Sequence, residues 1–166
     1  EYLEAAFLIR VVHRIDKNAK RFKRANFFKV YLTNPSIRSA LFSPITIDDE
    51  AMGALAETAV LAQWFHESSA SIHYARWQKG EVDIVWLRKN KPKWAVEVKW
   101  SDRYYEKPAE LKSLIAFCHA NQIYNPAVTT RTKQGELTVQ NVCMHFVPAS
   151  LYCYTVGYNL IRSRKK

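Results

Sequence analysis

The chain has 166 residues, 48% of them hydrophobic and 24% charged, which is enough for one sizeable core and too apolar for a disordered segment. Its formal charge of +10 and pI near 9.6 favour polyanionic partners such as nucleic acid, and no apolar run approaches the length of a membrane span. Three cysteines, Cys118, Cys143 and Cys153, without a short C-x-x-C pair, speak against a disulfide framework and for reduced thiols in a cytoplasmic protein.

The chain begins at Glu1 inside apolar sequence and reads as the carboxy-terminal part of something longer. Residues 2–9 predict a helix running into a strand through Val11, Val12 and Ile15, and residues 27–32 predict a second strand. The hairpin between them is basic, with Arg14, Lys20, Arg21, Lys23 and Arg24 against the single acid Asp16. Such a hairpin can touch a phosphate backbone; equally, its charges suit a solvated edge protected from sheet aggregation. Thr33-Asn34-Pro35 predicts a turn before a short helix at residues 36–42.

A helix is predicted over residues 46–66, opened by Asp48-Asp49-Glu50 and apolar at Leu55, Ala59, Val60, Leu61 and Trp64. Glu57 lies among those apolar positions and needs a partner there or the rim of a polar cleft. Residues 72–77 predict a strand. Pro108 opens a helix through Cys118, residues 127–130 form a short strand, and residues 137–147 form one further strand. Pro148-Ala149-Ser150-Leu151 predicts a closing turn or short helix before a basic tail.

The chemistry concentrates in residues 80–102. Two β-prone runs, residues 80–87 and 94–100, flank a break at Asn90 and Pro92, so an antiparallel hairpin is expected. Alternation puts Glu97 and Lys99 on one face with Ala95, and Val96, Val98 and Trp100 on the other; it groups Asp83 with Val85 and Leu87. A turn centred near Asn90 sets Asp83 opposite Glu97. Carboxylates directly across an antiparallel pair repel unless a cation lies between them.

An acid followed on the next strand by Glu-x-Lys resembles the active site of the PD-(D/E)XK phosphodiesterase fold. That resemblance implies that Asp83 and Glu97 hold magnesium or manganese, that Lys99 positions the attacking water, and that Glu57 adds a carboxylate from the preceding helix. The backbone carbonyl of Val98 would be a further ligand, with Arg76 and Gln78 near the phosphate.

A closer resemblance rests on Phe28-Lys29-Val30-Tyr31-Leu32-Thr33-Asn34-Pro35, Gly53-Ala54-Leu55-Ala56-Glu57, Tyr74-Ala75-Arg76-Trp77, Glu81-Val82-Asp83-Ile84-Val85 and Glu97-Val98-Lys99. In this order they resemble the carboxy-terminal domain, of unknown function and nuclease-like, of prokaryotic AAA-type ATPases. Asn34 and Thr58 depart from that pattern, where Asp and Asn are common. The resemblance implies an α/β fold, a mixed sheet flanked by helices with a small N-terminal hairpin and helix extension. Residues 1–45 would end a winged-helix region and residues 46–166 would form the nuclease-like domain. DNA is the expected partner, with an ATPase module upstream; a non-catalytic DNA-binding or docking module and a homo-oligomerisation domain are the alternatives.

Overall fold

The computed structural model describes residues 1–21, 27–65 and 71–163. Lys23 and Arg24 of the basic hairpin lie outside the described residues. A short helix α1 (Tyr2–Ala5) leads into β1 (Ile9–Ile15), which pairs antiparallel with β2 (Phe28–Leu32). Asn34 Oδ1 accepts the Ser36 N–H at 2.9 Å and starts α2 (Ser36–Leu41). Then follow α3 (Met52–Trp64), β3 (Ser71–Trp77), β4 (Gly80–Arg88) and β5 (Lys91–Glu97). A turn of helix α4 (Arg103–Glu106) and a 3-10 turn at Pro108–Glu110 precede α5 (Lys112–Asn121). Strands β6 (Ala127–Thr130), β7 (Gly135–Val139) and β8 (Val142–Pro148) lead to α6 (Ala149–Ser163).

Among the described residues eight strands form one mixed sheet in the order β2-β1-β3-β4-β5-β6-β8-β7. The expected mixed sheet flanked by helices is therefore present, with β1 and β2 continuing it at one edge: β1 lies parallel to β3, and Val12 and Tyr31 are buried with the α3 residues Val60 and Leu61. Helices α3 and α6 cover one face, and α5 covers the other with Leu114, Ile115, Phe117 and Cys118. Strand β4 is central. Val82, Ile84, Val85 and Leu87 are all buried, as a strand covered on both faces requires.

Four elements differ from the sequence reading; one is the helix expected from Pro108, which is a 3-10 turn at Pro108–Glu110 with α5 itself starting at Lys112. The first described turn of α3 begins at Met52, because residues 46–51 are taken up by turns in which Asp49 Oδ1 accepts the Ala51 N–H. Residues 137–147 fold as two strands, not one: Gln140 and Asn141 both adopt left-handed backbone (φ 49° and 62°), which is the two-residue turn that matches strand twist. The closing helix runs for 15 residues, since Tyr152 and Cys153 pack against the α3-side core. Gly157 lets α6 approach α3, where a methyl group would stand 3.2 Å from Gln63 Oε1. Among the described residues no helix is long and apolar enough to cross a membrane. All three cysteines are free thiols.

His73 on β3 is buried, and burial pushes its pKa down to about 4, with the charges of Arg21 and His13 adding to the effect. Its folded-state pKa lies below the unfolded value, so the stability it supports is complete above the unfolded pKa and is lost as pH falls towards 4. Chemical denaturation is expected to show wild type losing about 3 kcal/mol more than His73→Phe between neutral pH and pH 4.

Candidate functional site

The β4–β5 hairpin turns at Lys89 and Asn90, both left-handed (φ 52° and 60°), so Arg88 pairs with Lys91. That tight turn alone would set Asp83 opposite Val96. The register is corrected by one extra residue: Leu87 pairs with Pro92 but Trp86 pairs with Trp94, leaving Lys93 bulged between them. From there Val85 faces Ala95 and Ile84 faces Val96. One step further along the same register stands the expected pair, Asp83 and Glu97.

A second bulge lies on the other side of β4. His73 pairs with Val85 and Ala75 with Val82, so Asp83 and Ile84 together face the single Tyr74. Alternation is thereby reset: Val82 joins Val85 and Leu87 in the α5-side core, while Ile84 packs in the α3-side core. Asp83 is released from the grouping with Val85 and Leu87 that strict alternation implies. Its carboxylate feels Glu57 of α3. Ala95 lies in the α5-side core and Val96, Val98 and Trp100 in the α3-side core, as expected.

Beyond the Ile84–Val96 pair the β4–β5 ladder stops, and the Val98 N–H donates instead to Asp83 Oδ2 at 2.8 Å. Lys99 Nζ lies 2.7 Å from Glu97 Oε1 and 4.0 Å from Asp83 Oδ2. The second Glu97 oxygen, Oε2, is buried and receives no hydrogen bond. Burial pushes the Asp83 carboxyl well above the usual range, and the negative charges of Glu97 and Glu57 push it further. Burial also raises Glu97, against the pull of Lys99. For Lys99 burial opposes the charged form, yet Glu97 and Asp83 outweigh it and hold the ammonium above its ordinary pKa. One cation thus serves two buried carboxylates.

Glu57 is tied on its own side. Its Oε1 accepts from Lys29 Nζ at 3.1 Å and from the Tyr31 hydroxyl, both on β2. Lys29 also pairs with Glu81 Oε1 at 2.5 Å, and Arg76 approaches Glu81 Oε2 at 3.4 Å. Burial pushes the Tyr31 hydroxyl far up, and Glu57 reinforces the shift, so Tyr31 stays a donor. Asp83 links the two groups: its charge is felt by Lys29 and Tyr31 as well as by Lys99.

Sequence reasoning gave no role to Tyr31, Glu81 or Thr129 and counted Lys29 only among the charges of the basic hairpin. Thr129 Oγ1 accepts the Lys99 N–H at 2.8 Å and donates to the Lys99 carbonyl at 3.0 Å, clamping the backbone that carries the ammonium. The sequence shows Thr129 and Thr130 ending a short strand; that both are fully buried, where hydroxyls find partners, is seen only in the fold. Thr129→Val is expected to cost about 2 kcal/mol in urea unfolding by removing both bonds, and Thr129→Ser to restore most of it.

The basic hairpin is only partly assembled into a surface. Arg14 Nε donates to the Arg76 carbonyl at 2.9 Å and its guanidinium lies 4.9 Å from the Phe27 ring centre; Arg21 Nη2 donates to Ser71 Oγ at 2.8 Å. Lys20 is exposed.

Residues 52–152 match the family described as a domain of unknown function (DUF4143), a match that spans most of the chain. The chain belongs to the DUF4143 family. No curated protein and no solved structure matches it. The DUF4143 segment contains Glu57, Glu81, Asp83, Glu97, Lys99 and Thr129, whereas Lys29 and Tyr31 come from the preceding strand β2.

Whether these residues suit a divalent ion is a matter of donor chemistry. Among the described residues no group of three or more His, Cys, Asp or Glu side chains is gathered to hold a metal. Two carboxylates remain, with an unpartnered buried oxygen on one of them. That set fits magnesium, which keeps several waters and is commonly held by one or two carboxylates. It does not suit a softer ion that demands a full protein cage.

Proposed function

We propose that this DUF4143 chain carries a PD-(D/E)XK-like, metal-dependent phosphodiesterase site acting on DNA, in a chain whose ATPase module lies upstream. The observation that carries the reading is that two buried, mutually repelling carboxylates share one ammonium, with Glu97 Oε2 buried and outside hydrogen-bond geometry. Asp83 and Glu97 would hold magnesium or manganese, with the Val98 carbonyl as a further ligand. The ion, when bound, acidifies water and neutralises charge on the phosphate. Lys99 stands 2.7 Å from Glu97 and orients the nucleophile from there. Glu57, held by Lys29 and Tyr31, acts on Asp83 through its charge and is one step removed from the ion. The net charge of +10 favours the polyanionic substrate.

A second reading is a non-catalytic DNA-binding or docking module on the same scaffold, favoured by the small number of candidate ligands. Manganese titration by calorimetry separates the two. One site, abolished by Glu97→Gln, is expected under the enzymatic reading; absence of metal binding, with DNA affinity that depends on salt and not on chelator, would leave the binding module.

A further inference from the structure

On the α5 side of the sheet a cavity of about 410 Å³ opens at the β3–β4 turn, within the size range of small-ligand pockets. It is lined by Lys17, Trp77, Gln78, Lys79, Lys112 and Ser113, and no carboxylate is among its lining residues. None of its three ammonium groups donates a hydrogen bond or forms an ion pair among the described residues. The acid nearest in sequence to Lys112, Glu110, is already held by Arg103 through bonds of 2.8 and 3.1 Å.

The walls are fixed. Asp16 Oδ1 accepts the N–H groups of Asn18 and Lys20, and Asn121 Nδ2 donates to the Lys17 carbonyl at 2.8 Å, anchoring the Lys17 loop to α5. Trp77 stacks on Phe117, with ring centres 6.3 Å apart, and is packed so tightly that a side chain at Gly80 would collide with its indole and lie 2.7 Å from Ser113 Oγ. The result is a packed aromatic ring beside three ammonium groups without an ion pair among the described residues, of which Lys112 also feels Glu110, with a serine hydroxyl and a glutamine amide.

The geometry points to a nucleoside-phosphate subsite: Lys17, Lys79 and Lys112 take the phosphate, the base lies against the part of the Trp77 ring that Phe117 and Gly80 leave uncovered, and Gln78 and Ser113 supply hydrogen bonds. Aromatic stacking and cationic neutralisation together are the recurring means of holding a single-stranded nucleotide without sequence preference. Two strand residues separate Gly80 from Asp83, three steps or about 10 Å of chain, so the cavity lies one or two nucleotide lengths along β4 from the carboxylate pair. The subsite does not depend on the metal reading, and it is tested without metal.

The experiment measures fluorescence anisotropy of a labelled short oligothymidylate, and calorimetry of thymidine monophosphate and of pyrophosphate, all in chelator. Lys79→Ala/Lys112→Ala is expected to weaken oligonucleotide binding about 30-fold and to lower the salt slope by about 1.4, two single-strand phosphate contacts. Lys17→Ala, at a partly buried loop position, should weaken it about 5-fold. Thymidine monophosphate binding that is lost in the double variant extends the subsite to free nucleotides; oligonucleotide binding alone, lost in the same way, restricts it to strands. Unchanged oligonucleotide affinity in the double variant overturns the proposal, and pyrophosphate bound as tightly as thymidine monophosphate overturns the nucleoside assignment.

Discussion

Glu97→Gln, Asp83→Asn and Lys99→Ala are each expected to reduce magnesium-dependent nicking of supercoiled DNA by about 10³-fold, the scale on which removal of one preorganised electrostatic group acts. The three side chains form one unit: Glu97 Oε1 and Asp83 Oδ2 share the Lys99 ammonium, and Glu97 Oε2 is open. Their losses should therefore not add, and the triple variant should be little worse than the worst single one. Nicking that survives in Glu97→Gln would end the phosphodiesterase assignment, because among the described residues Glu97 is the carboxylate that shares the Lys99 ammonium with Asp83.

The same three substitutions should part company in stability. Asp83 and Glu97 are buried carboxylates raised above their ordinary pKa by burial and, for Asp83, by the charges of Glu97 and Glu57. A carboxylate whose folded-state pKa is raised leaves folding most favourable below the unfolded pKa, and that advantage is lost as pH rises through the folded value. At neutral pH the metal-free protein therefore carries strain that Asp83→Asn relieves while the 2.7 Å Lys99–Glu97 pair and an acceptor for the Val98 N–H are kept, and its melting temperature should rise by about 5 °C, the gain shrinking as pH is lowered towards 4. Lys99→Ala removes the one cation between two buried acids and should cost about 3 kcal/mol. Magnesium should stabilise wild type and leave Glu97→Gln unmoved, read by calorimetric melting. A wild type more stable than Asp83→Asn at neutral pH without metal would mean that the acids are satisfied where they stand.

The legible part of this protein was its hairpin pattern. Asn90 and Pro92 between apolar runs announced β4 and β5, and two acids with a following Lys announced the site. What local sequence does not encode is how strands are corrected against each other. The bulge at Lys93 and the bulge at Asp83-Ile84 arise from pairing with neighbours distant in the chain, and neither position carries the glycine that often marks a bulge. The β7–β8 turn was hidden for a similar reason: Gln140-Asn141 supplies left-handed backbone without glycine. The reach of Lys29 and Tyr31 across the sheet to Glu57 depends on the order β2-β1-β3-β4, which no periodicity announces. The length of α6 was obscured by Pro148, which ends a strand and starts a helix at one residue.

Lys93 has no partner on β4, while Pro92 and Trp94 are paired on either side of it. Its removal would let the two neighbours follow one another directly and would leave every later pair in place, Asp83 and Glu97 included. The count of residues between these two acids is thus free to vary by one while their meeting is preserved. A search for distant kin that insists on a fixed interval from the Asp to the Glu-x-Lys would discard true relatives; one that aligns the strands and tolerates a gap at this point would keep them.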